Sequence, residues 1–217
     1  MKKVSYLCAM EKDQINIFKR VRDLYNKYSI KSVTMDDIAR ELGISKKTLY
    51  TCVRDKEELV SKIVEEELSE IGKIMDEIEL RPLNAIEMLI ETNRALAKVM
   101  KNQNPSAYYD LKKYYPDIFS NMLKVRRQRM YDTMYRNLQQ GKKEGLFRED
   151  LNVDIITKVH VMKVELMSEH DFMGNFELKR EEVFREIFIY HLRGVCNSRG
   201  IEVFEKLVKQ INNNANE

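Results

Sequence analysis

An all-α fold is what this 217-residue sequence predicts, and three observations predict it. Gly (7) and Pro (3), the residues that interrupt helices, are scarce. No Val/Ile/Thr-rich runs alternate between punctuating turns, as strands would require. Long stretches instead carry apolar residues three and four positions apart, the period of a helix with one buried face. At 43% hydrophobic and 34% charged, the chain can bury a core and keep a solvated surface. Its length suits a small N-terminal three-helix domain joined to a larger helical C-terminal domain.

The helices follow in order. From Lys12 to Tyr28, Ile17, Val21, Leu24 and Tyr28 form a stripe, with Phe18 and Tyr25 beside it. Ser29–Val33 breaks the pattern. Thr34 then caps a short helix, Asp37 sits at the third helical position as a capping-box variant, and Ile38, Ala39 and Leu42 face inward. Gly43 can take the left-handed conformation that ends a helix sharply. Ser45 offers the next N-cap, and Leu49 and Val53 give the following helix a buried edge. Asp55 and Glu58 form a second capping box at the head of a long helix, 55–80. Two short helices joined through a glycine turn make a helix-turn-helix over 34–53.

Further helices are expected at 83–101, 106–114, 117–144, 153–170, 180–196 and 199–211. NQNPS, Pro116, Gly145, residues 171–178 and Asn197 supply the breaks. In GKKEGLFRED, Gly145 ends one helix, Leu146 and Phe147 anchor the loop, and Asp150 or Asn152 starts the next. Residues 1–10 read as an arm and 212–217 as a frayed tail.

Composition excludes several functions. No apolar run approaches the roughly 20 residues that span a bilayer, and the start is too soon interrupted for a signal peptide. Cys8, Cys52 and Cys196 are far apart and odd in number, which argues against a disulfide framework and for a reducing cytoplasm. Cys52 reads as a small, partly buried residue. His160, His170 and His191 lack metal-ligand spacing, and Glu169-His170-Asp171 reads as a polar helix end rather than a cation site. There is no phosphate loop and no nucleophile elbow, so neither a catalytic residue nor a cofactor is expected.

Charge is unevenly divided. Residues 1–56 hold 13 of the 38 Lys and Arg and 7 of the 35 Asp and Glu, a balance of +6 that leaves the remainder at −3. A polyanion would dock at the basic end. There the second short helix has a free N-terminus suited to phosphate. Ser45, Lys46, Lys47, Thr48, Tyr50 and Thr51 add donors for phosphates and base edges, with Thr34 and Lys56 placed to clamp the backbone on either side.

The stretch TMDDIARELGISKKTLYTCVRDKEELV resembles the DNA-binding domain of the TetR (tetracycline repressor) family of bacterial regulators. Thr34, Ile38-Ala39, Gly43, Ser45, Leu49-Tyr50 and Lys56-Glu57-Glu58-Leu59 carry the resemblance, which covers about residues 11–71. Ser29 stands where the family usually has Gly, and Val53 where it usually has an aromatic. Thr51 and Cys52 replace the Tyr, Arg or His often found before that aromatic. The resemblance implies double-stranded DNA, a palindromic operator, as a partner, and transfers no operator sequence.

Residues 72–211 then imply effector binding and dimerisation. An effector pocket is expected around Tyr109, Phe119, Met122, Met162 and Glu165, drawn from an aromatic-rich region that includes Tyr108, Tyr114 and Tyr115. A homodimer interface is expected at Phe184, Ile187, Phe188, Tyr190, His191 and Val195, with the 153–170 helix beside it. The expected function is a ligand-responsive transcriptional regulator, a repressor released from DNA by a small molecule. The alternative is an effector-independent DNA-binding protein whose C-terminal domain only dimerises or recruits a protein.

Overall fold

The structure, a computed structural model, describes residues 17–101, 104–168 and 180–214. Among them are ten helices and no strand: α1 (17–28), α2 (Met35–Leu42), α3 (Lys46–Cys52), α4 (Lys56–Glu79) and α5 (Ala85–Lys101). α6 (Pro105–Tyr114), α7 (Pro116–Lys143), α8 (Val153–Ser168), α9 (Arg180–Val195) and α10 (Ser198–Asn214) follow among the described residues. Residues 1–16, which include the expected arm and the expected start of the first helix, residues 102–103, residues 169–179 with Glu169, His170 and Asp171, and residues 215–217 lie outside the described residues.

The two prolines read as breaks also begin helices. Pro105 and Pro116 occupy first helical positions, where a missing N–H costs nothing and the fixed φ fits the helix. Asn104 caps α6, its side chain accepting from the Ser106 N–H at 2.8 Å. At the other end of the chain α10 continues to Asn214, past the expected stop at 211.

Contacts divide the chain into two compact units. One holds the chain up to Met75 together with Leu96–Arg126; the other holds Asp76–Ala95 and the chain from Arg127 onward. α6 and the first turns of α7 are thereby grouped with the N-terminal helices. In the first unit Val21 and Tyr25 of α1, Ile38 of α2, Leu49 of α3 and Leu59 of α4 meet in one core. Leu111, Phe119 and Met122 close it from α6 and α7. These are mostly the apolar stripes of the sequence, brought together because each short helix can bury only one face; in α1, however, Tyr25 is buried and the expected stripe residue Tyr28 is 51% exposed.

The core of the second unit joins Ile86 and Leu89 to Leu138, Phe147, Leu192 and Phe204. Its α7–α8 turn behaves as the sequence indicates. Gly145 takes φ 67°, and the chain then folds Leu146 and Phe147 into the core. Phe147 forms an antiparallel bridge with Cys196. Asn197 locks this turn, donating from its amide to the carbonyls of Gly145 (3.0 Å) and Phe147 (3.3 Å) and accepting from the Gly200 N–H at 3.0 Å. The ring of Phe147 lies over Gly141, where an added Cβ would come within 2.1 Å of it. No helix among the described residues is long and apolar enough to cross a membrane.

Candidate nucleic-acid interface

Local bonding fixes the two short helices. Thr34 caps α2 in a reciprocal box: its hydroxyl accepts from the Asp37 N–H at 3.2 Å, and its own N–H donates to the Asp37 carboxylate at 2.9 Å. The Thr34 hydroxyl bond, first among several contacts, holds the Asp37 carboxyl below its ordinary pKa. Gly43 ends α2 at φ 69°. Open space surrounds the place of its missing Cβ, so the requirement for glycine there is conformational rather than steric. Arg20 of α1 donates to the carbonyls of Glu41 and Leu42, satisfying the exposed end of α2.

Ser45 caps α3, its hydroxyl accepting from the Thr48 N–H at 3.0 Å. Leu49 is fully buried and Val53 nearly so, which turns the opposite face of α3 to solvent. That face presents Lys47, Thr48 and Tyr50. Lys46 is exposed too, but its ammonium pairs with Asp36 across the turn at 2.6 Å. That bond raises its pKa, and an exposed pair of this kind is readily exchanged for phosphate. Thr51 and Cys52 are turned back along the helix, both toward the Thr48 carbonyl, at 2.6 and 3.7 Å. The Thr51 hydroxyl proton is thus engaged by the protein.

Lys56 corrects the sequence expectation most clearly. Its ammonium lies 2.5 Å from the carbonyls of both Ile30 and Val33 and is partly buried, and that burial lowers its pKa. It staples the α1–α2 loop to the start of α4 instead of reaching outward as a phosphate clamp. The Asp55 cap on α4 forms as read, accepting from the Glu58 N–H at 2.8 Å. Glu58 reciprocates one residue early, on the Arg54 N–H at 2.7 Å, a bond that depresses its carboxyl to about 2.

The α1–α2 loop is held by a partner distant in sequence. Ser29 adopts φ 71°, a left-handed conformation costly for any residue but Gly. Its hydroxyl donates to the buried Asp110 carboxylate at 2.6 Å, and the Lys31 N–H donates to the same oxygen at 2.7 Å. A carboxylate 81 residues away in sequence therefore organises the loop that leads into the reading helices. Only the odd position of an Asp among the aromatic residues of α6 hinted at it.

The expected pocket residues are not gathered in one place. Phe119 is buried in the first unit's core, edge-on to Tyr108 at 5.1 Å. Tyr109 is 57% exposed, under the Lys113 ammonium, and Met162 is 66% exposed. Glu165 is paired with Arg127 at 2.7 Å. These positions correct the expectation for Tyr109, Phe119 and Met162. Met122 does border a cavity of about 90 Å³ in the first unit, enclosed by α1, α4, α6 and α7. Arg22, Tyr25, Val60, Ile63 and Leu111 share its wall, and among the described residues the buried Tyr25 hydroxyl has no hydrogen-bond partner.

The expected interface residues also separate. Val195 is 2% exposed and packed in its own core, which removes it from any surface, and Phe188 packs against that core. Phe184, Ile187 and His191 are half-buried, while Tyr190 is 80% exposed. The larger apolar surface is on α8, where Ile155, Val159, Met162 and Leu166 are all exposed at helical spacing. His160 and His191 meet between α8 and α9 with ring centroids 4.9 Å apart.

Comparison with known proteins agrees with this geometry. A family model described as bacterial regulatory proteins, tetR family, matches residues 17–63. An uncharacterized HTH-type transcriptional regulator, YvaF of Bacillus subtilis (strain 168), is 25% identical over 165 residues, 76% of this chain and 86% of that protein. A transcriptional regulator from Cytophaga hutchinsonii shares the fold with a TM-score of 0.68 at 16% identity, over 83% of this chain and 97% of that one. AibR, solved in complex with isovaleryl coenzyme A and operator DNA, shares it with a TM-score of 0.54 at 14% identity, over 80% and 94% of the two chains.

Proposed function

We propose that this chain, whose residues 17–63 match the model for bacterial regulatory proteins, tetR family, is a DNA-binding regulator of that kind, a cytoplasmic, homodimeric repressor released from a palindromic operator by a small molecule. The observation that carries the reading is the solvent face of α3. Lys47, Thr48 and Tyr50 stand outward from a helix pinned by its Ser45 cap and the buried Leu49. A helix so held can enter a major groove N-terminus first, with hydroxyls and ammonium groups meeting phosphates and base edges. Lys46 joins them once phosphate displaces Asp36, whereas the Thr34 hydroxyl already donates to the Asp37 carboxylate at 2.6 Å. Dimerisation is supported by the exposed α8 stripe with Tyr190 of α9, whose cover by a second copy places two reading heads on one duplex.

Release by a ligand is supported by the first unit's cavity. It shares α1 and α4 with the reading head, so a ligand that enlarges it shifts helices on which α2 and α3 rest. Such a ligand weakens DNA binding by its differential affinity for the two states. AibR, bound to both an acyl coenzyme A and operator DNA, is a relative of this shape that handles both kinds of ligand. The same cavity favours a second reading through its size. At about 90 Å³ it is well below the roughly 300 Å³ of ordinary ligand sites, as in an effector-independent binder whose remaining helices only dimerise or recruit a protein. A thermal-shift screen of small metabolites, followed by DNA release, separates the two. A compound that raises the melting temperature and releases DNA supports the first reading, and a flat response across a broad panel supports the second.

A further inference from the structure

Beside the reading head, but outside the helix-turn-helix, lysines and tyrosines from two distant segments meet. The Lys31 ammonium, on the α1–α2 loop, is 5.0 Å from the centroid of the Tyr114 ring. The Lys113 ammonium approaches the same ring at 5.5 Å and the Tyr109 ring at 5.4 Å, and lies 3.2 Å from the Tyr109 hydroxyl. All four side chains are exposed. Among the described residues neither ammonium has a carboxylate within salt-bridge distance. Two cations are thus gathered on aromatic surfaces instead of being neutralised.

The patch is fixed to the head. Asp110, on the turn of α6 before Lys113, binds the Ser29 hydroxyl and the Lys31 N–H, and the Asn104 amide donates to the Asn26 carbonyl. Lys31 is three residues before Thr34, so at most about 11 Å of chain separates it from the N-terminus of α2. A duplex meeting that N-terminus presents a new phosphate every roughly 3.4 Å along each strand, which brings neighbouring phosphates to the lysines. The aromatic rings are already occupied by ammonium groups, so the chemistry on offer is charge and hydroxyl donation rather than stacking on bases.

We propose that Lys31 and Lys113, gathered around Tyr114, form a second phosphate-binding surface that grips the DNA backbone flanking the site read by α3. The proposal rests on DNA binding by the helix-turn-helix, and its contribution is independent of sequence.

The test uses the full chain and a 40-base-pair duplex enriched by it from a random library, beside a mixed-sequence duplex of equal length. The Lys31→Ala/Lys113→Ala double variant should lower the slope of log affinity against log salt by about 2, each lost phosphate contact being worth ~0.9. It should weaken both duplexes by the same factor, several-fold or more, while Lys31→Arg/Lys113→Arg restores both slope and affinity. Melting temperatures of all variants should match the wild type. An unchanged slope, a loss confined to the selected duplex, or failure of the Arg pair to restore binding overturns the proposal. So does a double variant that keeps its DNA slope and loses only binding to phosphatidylglycerol vesicles, which would make the patch a lipid contact. If the wild-type chain enriches no duplex at all, the DNA-binding premise fails instead, and the proposal with it.

Discussion

Lys56 shows how one side chain can carry a motif and a different role from the one its position suggests. Its ammonium satisfies the carbonyls of Ile30 and Val33. Removing it leaves two partly buried acceptors without a donor, each worth roughly 1–3 kcal/mol. Lys56→Met should therefore lower stability in urea by about that amount while leaving the salt slope of DNA binding unchanged. A reduced slope at full stability would restore the clamp. Ser29 makes a second test: Ser29→Ala keeps the left-handed strain and loses a bond to a buried carboxylate, and should cost about 1.5–3 kcal/mol. Ser29→Gly should cost less, since glycine relieves part of the strain. At the contact face, Tyr50→Phe should weaken DNA binding if the hydroxyl reaches phosphate, and an unchanged affinity in a titration would leave Tyr50 as packing.

At the scale of elements, much was legible because it is local. The Thr34 box, the Gly43 stop, the Ser45 cap and the apolar edge at Leu49 and Val53 depend on residues within one or two turns of each other. What stayed hidden depends on partners distant in sequence. Asp110 reaching Ser29, and Asn197 locking residues 145–147, leave no periodic trace. The interface expectation failed at Val195 for a related reason. α9 is apolar on more than one side, and only the packed core shows that Leu192 and Val195 face inward. The exposed stripe lies one helix earlier, at Ile155, Val159, Met162 and Leu166. Replacing Met162 with Glu at the middle of it should convert a dimer to monomers in sedimentation without lowering the melting temperature of the monomer, and a variant still dimeric at micromolar concentration would acquit α8. In the turn that closes the second core, Gly141→Ala drives a Cβ into the Phe147 ring. It should cost about 1–3 kcal/mol or more, read as a lower urea midpoint.

For the whole molecule, the half-buried imidazoles of His160 and His191 set an acid limit. Burial lowers His160 to about 3 and His191 to about 4, with Lys163 also facing the pair. Above the ordinary pKa of 6.5 the rings are neutral whether the chain is folded or not, and they add no pH dependence to stability. As pH falls below 6.5 the unfolded chain takes up protons that the folded pair refuses, so stability declines toward pH 4. Replacing both residues with Gln should flatten that decline, and an unaltered pH profile would assign it to other groups.

Charge is divided unevenly, +6 in residues 1–56 and −3 in the rest, which favours a polyanion at the N-terminal end. The most direct test of the account is to select duplexes from a random library with the wild-type chain and weigh the complex. The expected result is a palindrome with half-sites roughly one helical turn, about 35 Å, apart, two chains on each duplex, and loss of enrichment with Lys47→Ala/Tyr50→Ala. No enriched sequence, or an asymmetric site holding a single chain, would contradict it.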